Sequence, residues 1–96
     1  MADSKIVITK IENLGYPVFI HGKAPINQKI AAYYEKAGQW LPLGTYVNQE
    51  TNEFKMQASN TPSKGRFDVV VCLDRDGVPP NASCSDRYSY DFPDNG

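Results

Sequence analysis

The chain has 96 residues, enough for one domain with a single core and little stability to spare. Hydrophobic residues make up 41% and charged residues 22%, and the formal net charge is −1 with Lys and Arg scattered, so there is no basic field of the kind nucleic acid or an anionic membrane selects. No apolar run approaches the roughly 18 residues of a membrane span, which excludes insertion by a helix.

Taken in order, Lys5 to Ile11 alternates weakly and reads as a first strand, followed by a turn at Glu12-Asn13-Leu14-Gly15. Tyr16 to Ala24 is a second strand, with Val18, Ile20, Gly22 and Ala24 on one face and Phe19, His21 and Lys23 on the other. Pro17 suits its first position, where no ladder donor is needed. After a turn at Pro25-Ile26-Asn27-Gln28, Lys29 to Lys36 has some helical composition. It is short, however, and Gly38 ends it, so its alternation predicts a strand with Ile30, Ala32 and Tyr34 facing inward. Ala37-Gly38-Gln39 is a hairpin turn. Trp40 to Val47, interrupted by Pro42 and Gly44, reads as an edge strand.

The densest signal spans Phe54 to Asp76. Glu53 to Ala58 places Phe54, Met56 and Ala58 inward, and a polar loop with Pro62 and Gly65 follows. The run that follows, Gly65 to Asp74, holds the most apolar strand in the chain. Phe67, Val69, Val71 and Leu73 are expected in the core, with Asp68, Val70 and Cys72 on the outer face. Asp74-Arg75-Asp76-Gly77 is a tight turn, Val78 to Asp86 a long loop, and Arg87 to Phe92 a last strand with Tyr88, Tyr90 and Phe92 on one side. Seven short strands between turn signals, in a chain of this length, predict an all-β antiparallel sandwich filling residues 1–96 as one domain.

Cys72 and Cys84 are the first candidates for chemistry. A bridge between them closes a loop of about 13 residues and is worth roughly 3 kcal/mol in the chain-entropy model. It is favoured over a pair of reduced thiols, and it would fix the long loop as a contact site. One His and two Cys are too few for an ordinary zinc cage, so no metal or cofactor is expected. Asp74-Arg75-Asp76-Gly77 begins like a calcium loop, but Val78-Pro79-Pro80 breaks that pattern and an Asp-Gly turn explains it. His21 shows neither a partner nor a pocket in the sequence, so no catalytic residue is assigned. Tyr33, Tyr34, Trp40 and Tyr46 crowd into fourteen positions. Alternation sends Tyr34 inward and leaves Tyr33 exposed on the other face. Tyr33, Trp40, Tyr46 and Val70 are therefore the candidate binding residues, suited to a protein partner or a glycan.

With the strands in place, the middle of the chain resembles bacterial immunoglobulin-like domains of adhesins, themselves close to fibronectin type III modules. The residues that carry the resemblance are Gly22 and Ala24, Trp40, Leu43-Gly44-Thr45 and Phe54. They continue with Gly65-Arg66-Phe67-Asp68-Val69-Val70-Val71, Asp74 and Gly77, so that the match runs from Val18 to Gly77. The long loop and the cysteine pair depart from that pattern. The resemblance implies a seven-stranded immunoglobulin-like sandwich acting as a non-catalytic binding or spacer module at a cell or particle surface. Its strand pairing would set Tyr33 near Val70 and Cys72, and it gives Trp40 the place of a core or sheet-capping residue. Two alternatives stand beside it: a carbohydrate-binding module, and a structural part of a phage or secretion-system particle with an exposed edge strand at Trp40 to Val47. Met1-Ala2-Asp3-Ser4-Lys5 is not a signal peptide. The location is therefore open between cytoplasm and a piece of a longer exported chain, with the latter favoured by the disulfide.

Overall fold

The computed structural model describes residues 6–13, 18–48, 51–59, 61–62, 64–77, 79 and 84–92. Seven strands run in chain order: β1 (Val7–Asn13), β2 (Val18–Lys23), β3 (Gln28–Lys36), β4 (Gln39–Asn48), β5 (Glu53–Ala58), β6 (Gly65–Leu73) and β7 (Tyr88–Phe92). One turn of 3-10 helix at Asp74–Asp76 follows β6. All the strand pairings are antiparallel. They form a three-stranded sheet in the order β1-β2-β5 and a four-stranded sheet in the order β4-β3-β6-β7. Among the described residues no helix is long and apolar enough to cross a membrane.

The core lies where the two sheets face one another. Val18 and Ile20 of β2, Phe54, Met56 and Ala58 of β5, Ile30, Ala32 and Tyr34 of β3, and Val69 and Val71 of β6 are all buried there. Each set alternates by two along its strand, because successive side chains leave opposite faces of a sheet. At one margin the rings of Tyr34, Phe67 and Phe92 meet edge-on or tilted, with centroids 5.5 to 6.3 Å apart. Tyr90 stands against Phe92 at 5.0 Å. The inward sets expected on β2, β3 and β5 are borne out; on β6, Phe67 and Leu73 reach the core only partly buried.

Two one-residue bulges shape the strands. The β1–β2 register slips between Ile8 and Lys10, which makes Thr9 an extra residue. Opposite it, Gly22 is buried with the Val7 carbonyl and the Phe54 ring packed over the place a side chain would take. In the β3–β4 pair, Ala32 faces Gly44 and Tyr33 faces Pro42, so Leu43 is the extra residue; it is fully buried. Pro42 is tolerated because β4 is an edge strand, as its sequence indicates.

Boundaries differ from the sequence reading in instructive ways. Glu12 and Asn13 continue β1 rather than turning, while Leu14 to Pro17 lie outside the described residues. The hairpin after β3 has a two-residue turn, Ala37-Gly38, with φ of 53° and 79°, and Lys36 pairs with Gln39. A three-residue turn including Gln39 would have set Trp40 opposite Lys36, on the face of Tyr34. The tighter turn sets it opposite Glu35 instead, on the other face. Of the two places the resemblance offers Trp40, it takes the sheet-capping one: it lies half-buried on the outside of the four-stranded sheet and not in the core between the sheets.

Candidate functional site

The outer face of the four-stranded sheet carries a second, smaller apolar cluster. Ala31 and Tyr33 of β3 and Val70 and Cys72 of β6 are buried there, with Trp40 and Cys84 packed against them. The register explains the grouping, since Ala31 faces Cys72 and Tyr33 faces Val70 across the β3–β6 ladder. Burial also pushes the Tyr33 phenol above its ordinary pKa, with the nearby Asp74 charge adding to it.

This face is closed by the chain's own return from β6 to β7. Cys72 and Cys84 form a disulfide, as expected, with Cα atoms 4.0 Å apart. That spacing is close to the separation of directly opposed residues in a non-hydrogen-bonded antiparallel pair. The neighbouring residue shows how the approach is set. The β6–β7 ladder ends at Val69 and Tyr88, and continuing it would place Asp86 opposite Val71. Ser85 occupies that position instead. Its N–H donates to the Val71 carbonyl at 2.8 Å, and its hydroxyl accepts from the Val71 N–H at 3.0 Å. This one-residue slip brings Cys84 level with Cys72. Ser85 is buried, so both bonds are sheltered from water.

The exposure expected for Tyr33 is thereby corrected. Tyr33 is 8% and Val70 3% exposed, because Trp40 and Cys84 pack against this face of the sheet. Alternation gave the face correctly but carries no information about what lies on top of it. Of the candidate binding residues, Tyr46 is exposed at 38%, Trp40 is half-buried, and Tyr33 and Val70 are covered.

Beside this cluster runs a polar strip that sequence reasoning missed. Arg87 donates to Glu35 Oε1 at 2.6 Å and to Asp68 Oδ2 at 3.0 Å. Its guanidinium lies 5.1 Å from the Trp40 ring centroid. The Ser89 hydroxyl donates to Asp68 Oδ1 at 2.7 Å. The Ser89 hydrogen bond, then Arg87, hold the Asp68 carboxyl below its ordinary pKa. One cation thus ties together β3, β4 and β6 just before β7 begins. The 52-residue separation of Arg87 from Glu35 left no local signal for the pair.

The outer face of the three-stranded sheet is different. His21 Nε2 lies 2.9 Å from Glu12 Oε1. That hydrogen bond is the largest reason the Glu12 carboxyl sits below its ordinary pKa. Lys55 Nζ stands 4.7 Å above the Phe19 ring. A half-open cleft of about 170 Å³ lies beside the bulge, lined by Thr9, Lys10, His21, Gly22, Lys23, Glu53 and Phe54. His21 therefore has both a partner and a cleft, contrary to the sequence reading. Among the described residues no hydroxyl or thiol is hydrogen-bonded to the imidazole, so the pair is a cross-strand clamp between β1 and β2. Among the described residues, no group of three His, Cys, Asp or Glu side chains is arranged to hold a metal ion.

One end of the molecule collects the exposed apolar residues. Val7, Ile26, Tyr46 and Val47 are the large hydrophobics exposed among the described residues, at 38 to 44%. Val7 pairs with Lys23 at the end of β2, and Ile26 lies in the turn between β2 and β3. Tyr46 and Val47 face Ile30 and Lys29 at the start of β3. The Ala24 N–H donates to the Asn52 carbonyl at 2.8 Å, so the β4–β5 connection reaches the same end. The turn after β6 also arrives there, with Lys29 Nζ 3.8 Å from Asp74. Sequence alternation shows each of these residues singly; the strand register places them at the same end of the sandwich. The chain matches no protein-family model, no curated protein and no solved structure.

Proposed function

We propose that the chain is a non-catalytic binding or spacer module of immunoglobulin-like architecture, acting through protein–protein contacts at a cell or particle surface. The observation that carries this reading is the gathering of Val7, Ile26, Tyr46 and Val47 at one end, where the β2–β3 and β4–β5 connections meet. Scattered exposed hydrophobics need no explanation, but a group at one end of a sandwich marks a contact surface. The strand order supports the architecture. The β1-β2-β5 and β3-β6-β7 neighbours are those expected of a seven-stranded immunoglobulin sandwich, and the fourth strand differs in pairing with the third rather than the fifth. The disulfide supports an oxidising location, since thiols stay reduced in most cytoplasms.

The carbohydrate-binding alternative needs a row of open aromatic faces, and covering Tyr33 and placing Arg87 over Trp40 removes two of them. The particle-component alternative draws support from β4, whose edge is taken up below. The test of the main reading uses wild-type and Ile26→Asp domains immobilised at equal density and exposed to intact cell surfaces and to a glycan array. A surface protein retained by wild type and lost with Ile26→Asp, at an unchanged unfolding midpoint, is the expected result. Glycan binding that is indifferent to Ile26→Asp, with no protein retained, would overturn it.

A further inference from the structure

Four strands of this fold lie at sheet edges: β1 and β5 in one sheet, β4 and β7 in the other. An edge strand offers unpaired N–H and C=O groups to any passing strand, and charged side chains are a common protection against this. Three of the edges have that protection. β1 carries Lys10 and Glu12, β5 carries Glu53 and Lys55, and β7 carries Asp91. β4 is the longest strand, with ten residues, and has no charged residue at all.

Its other protections are confined to its first half. Pro42 lacks a donor, the Leu43 bulge bends the strand, and the Leu43 carbonyl accepts from the Ser59 N–H at 2.8 Å and from the Ser59 hydroxyl at 3.1 Å. Among the described residues that is the only backbone hydrogen bond between β4 and β5. Beyond it, Thr45, Tyr46 and Val47 are exposed. The Leu43 carbonyl points away from β3, and alternation along a strand gives Thr45 and Val47 the same direction. Their backbone groups are therefore free to form a ladder with a further strand.

We infer that the second half of β4 pairs antiparallel with the same segment of a second copy of this chain. Two four-stranded sheets then join edge to edge across a two-fold axis at Tyr46. This gives a partner to the exposed end and rests on reading that end as a contact surface. A second copy fits because the pairing is self-complementary. With Tyr46 on the axis, Thr45 faces Val47 of the second copy and Gly44 faces its Asn48, so uncharged residues meet uncharged residues throughout. Thr and Val are β-branched and suit the half-buried face such a ladder creates. A partner recognised through charge would find no counter-charge on this strand. A two-fold pairing is also the commonest closed form of self-association.

The experiment is sedimentation velocity on the oxidised full chain from micromolar to millimolar concentration, with Tyr46→Glu and Tyr46→Lys alongside. Wild type is expected to shift from one-chain to two-chain mass. Each variant places like charges face to face on the axis and should weaken the dimer by about tenfold or more. An equimolar mixture of the two variants should restore it, since Glu then faces Lys. Thermal melts check that each variant folds, which the exposure of Tyr46 makes the expected result. A wild-type chain that stays monomeric throughout overturns the inference. So does a dimer that neither variant weakens, or a mixture that fails to recover. None of these results touches capture through Ile26, so failure of the pairing is distinguishable from failure of the binding-module reading.

Discussion

Replacing Gly22 with Ala tests the packing between β1, β2 and β5 more sharply than any other single methyl. A Cβ at this position would overlap the Val7 carbonyl oxygen and stand 2.8 and 2.9 Å from two carbons of the Phe54 ring. Ordinary contacts to carbon begin near 3.4 Å, so both neighbours must move. Phe54 is 4% exposed and cannot swing outward without opening the core. Val7 can retreat only by loosening the pairing at Val7–Lys23 and Ile8–Gly22, next to the Thr9 bulge. Overpacking a filled site costs about 1–3 kcal/mol. Losing one or two ladder hydrogen bonds adds about 1 kcal/mol each. The sum, about 2–5 kcal/mol, is a large part of the total stability of a domain this size. Urea unfolding followed by Trp40 fluorescence measures it, with Gly44→Ala as the comparison. A Cβ at Gly44 would crowd the Gln57 carbonyl at 3.1 Å and touch Ser59 at ordinary contact distance, and should cost clearly less. If Gly22→Ala costs under about 1 kcal/mol, or no more than Gly44→Ala, then β1 is not seated on β2 as described and the reasoning fails.

Three further outcomes are expected. Ala37 holds φ of 53° in the two-residue β3–β4 turn, where a Cβ is unfavourable, so Ala37→Gly should raise stability by about 1 kcal/mol in the same urea assay. Reducing the disulfide, or changing both Cys72 and Cys84 to Ser, should cost roughly 3 kcal/mol and alter the near-ultraviolet circular dichroism of Tyr33 and Trp40, which the stapled segment covers. Glu12 and Asp68 titrate below their ordinary values of 4.5 and 3.8, held down chiefly by hydrogen bonds from His21 and from Ser89. Depressed carboxylates stabilise the fold fully above their unfolded pKa values and lose that contribution as pH falls through the folded ones. Unfolding midpoints should therefore drop on acidification below about pH 4.5, and the Glu12→Gln, Asp68→Asn double variant should show a shallower drop.

The sheets were largely legible in the sequence because burial on one face writes a period of two into a strand. Phe54, Met56 and Ala58 were assigned inward on that ground, and so were Ile30, Ala32 and Tyr34. The segment from Lys29 to Lys36 is readable as a strand despite its helical composition, because it is short, Gly38 ends it, and Ile30, Ala32 and Tyr34 alternate. What alternation does not record is what covers a face. Tyr33 and Val70 lie on the side of the sheet that alternation gives them and are buried there, since Trp40 and Cys84 pack against them. Trp40 caps that outer face because the two-residue turn sets it opposite Glu35, and a slip of one exchanges the two faces of a strand. The Arg87 strip and the His21–Glu12 pair depend on cross-strand register, which a bulge alters without any local mark beyond an extra residue such as Thr9.

The junction at Ser85 has a consequence for how this molecule can change over time. Its two bonds to Val71, together with the neighbouring disulfide, fix the point at which the chain rejoins β6. The 3-10 turn at Asp74–Asp76 fixes the point at which it leaves. The disulfide closes the span between them into a ring. Lengthening such a ring adds little entropic cost, since loop closure grows only with the logarithm of length. Insertions between Pro79, which is buried, and Cys84 should therefore accumulate with little penalty to folding. This would let the domain acquire new contacts there while its frame stays constant.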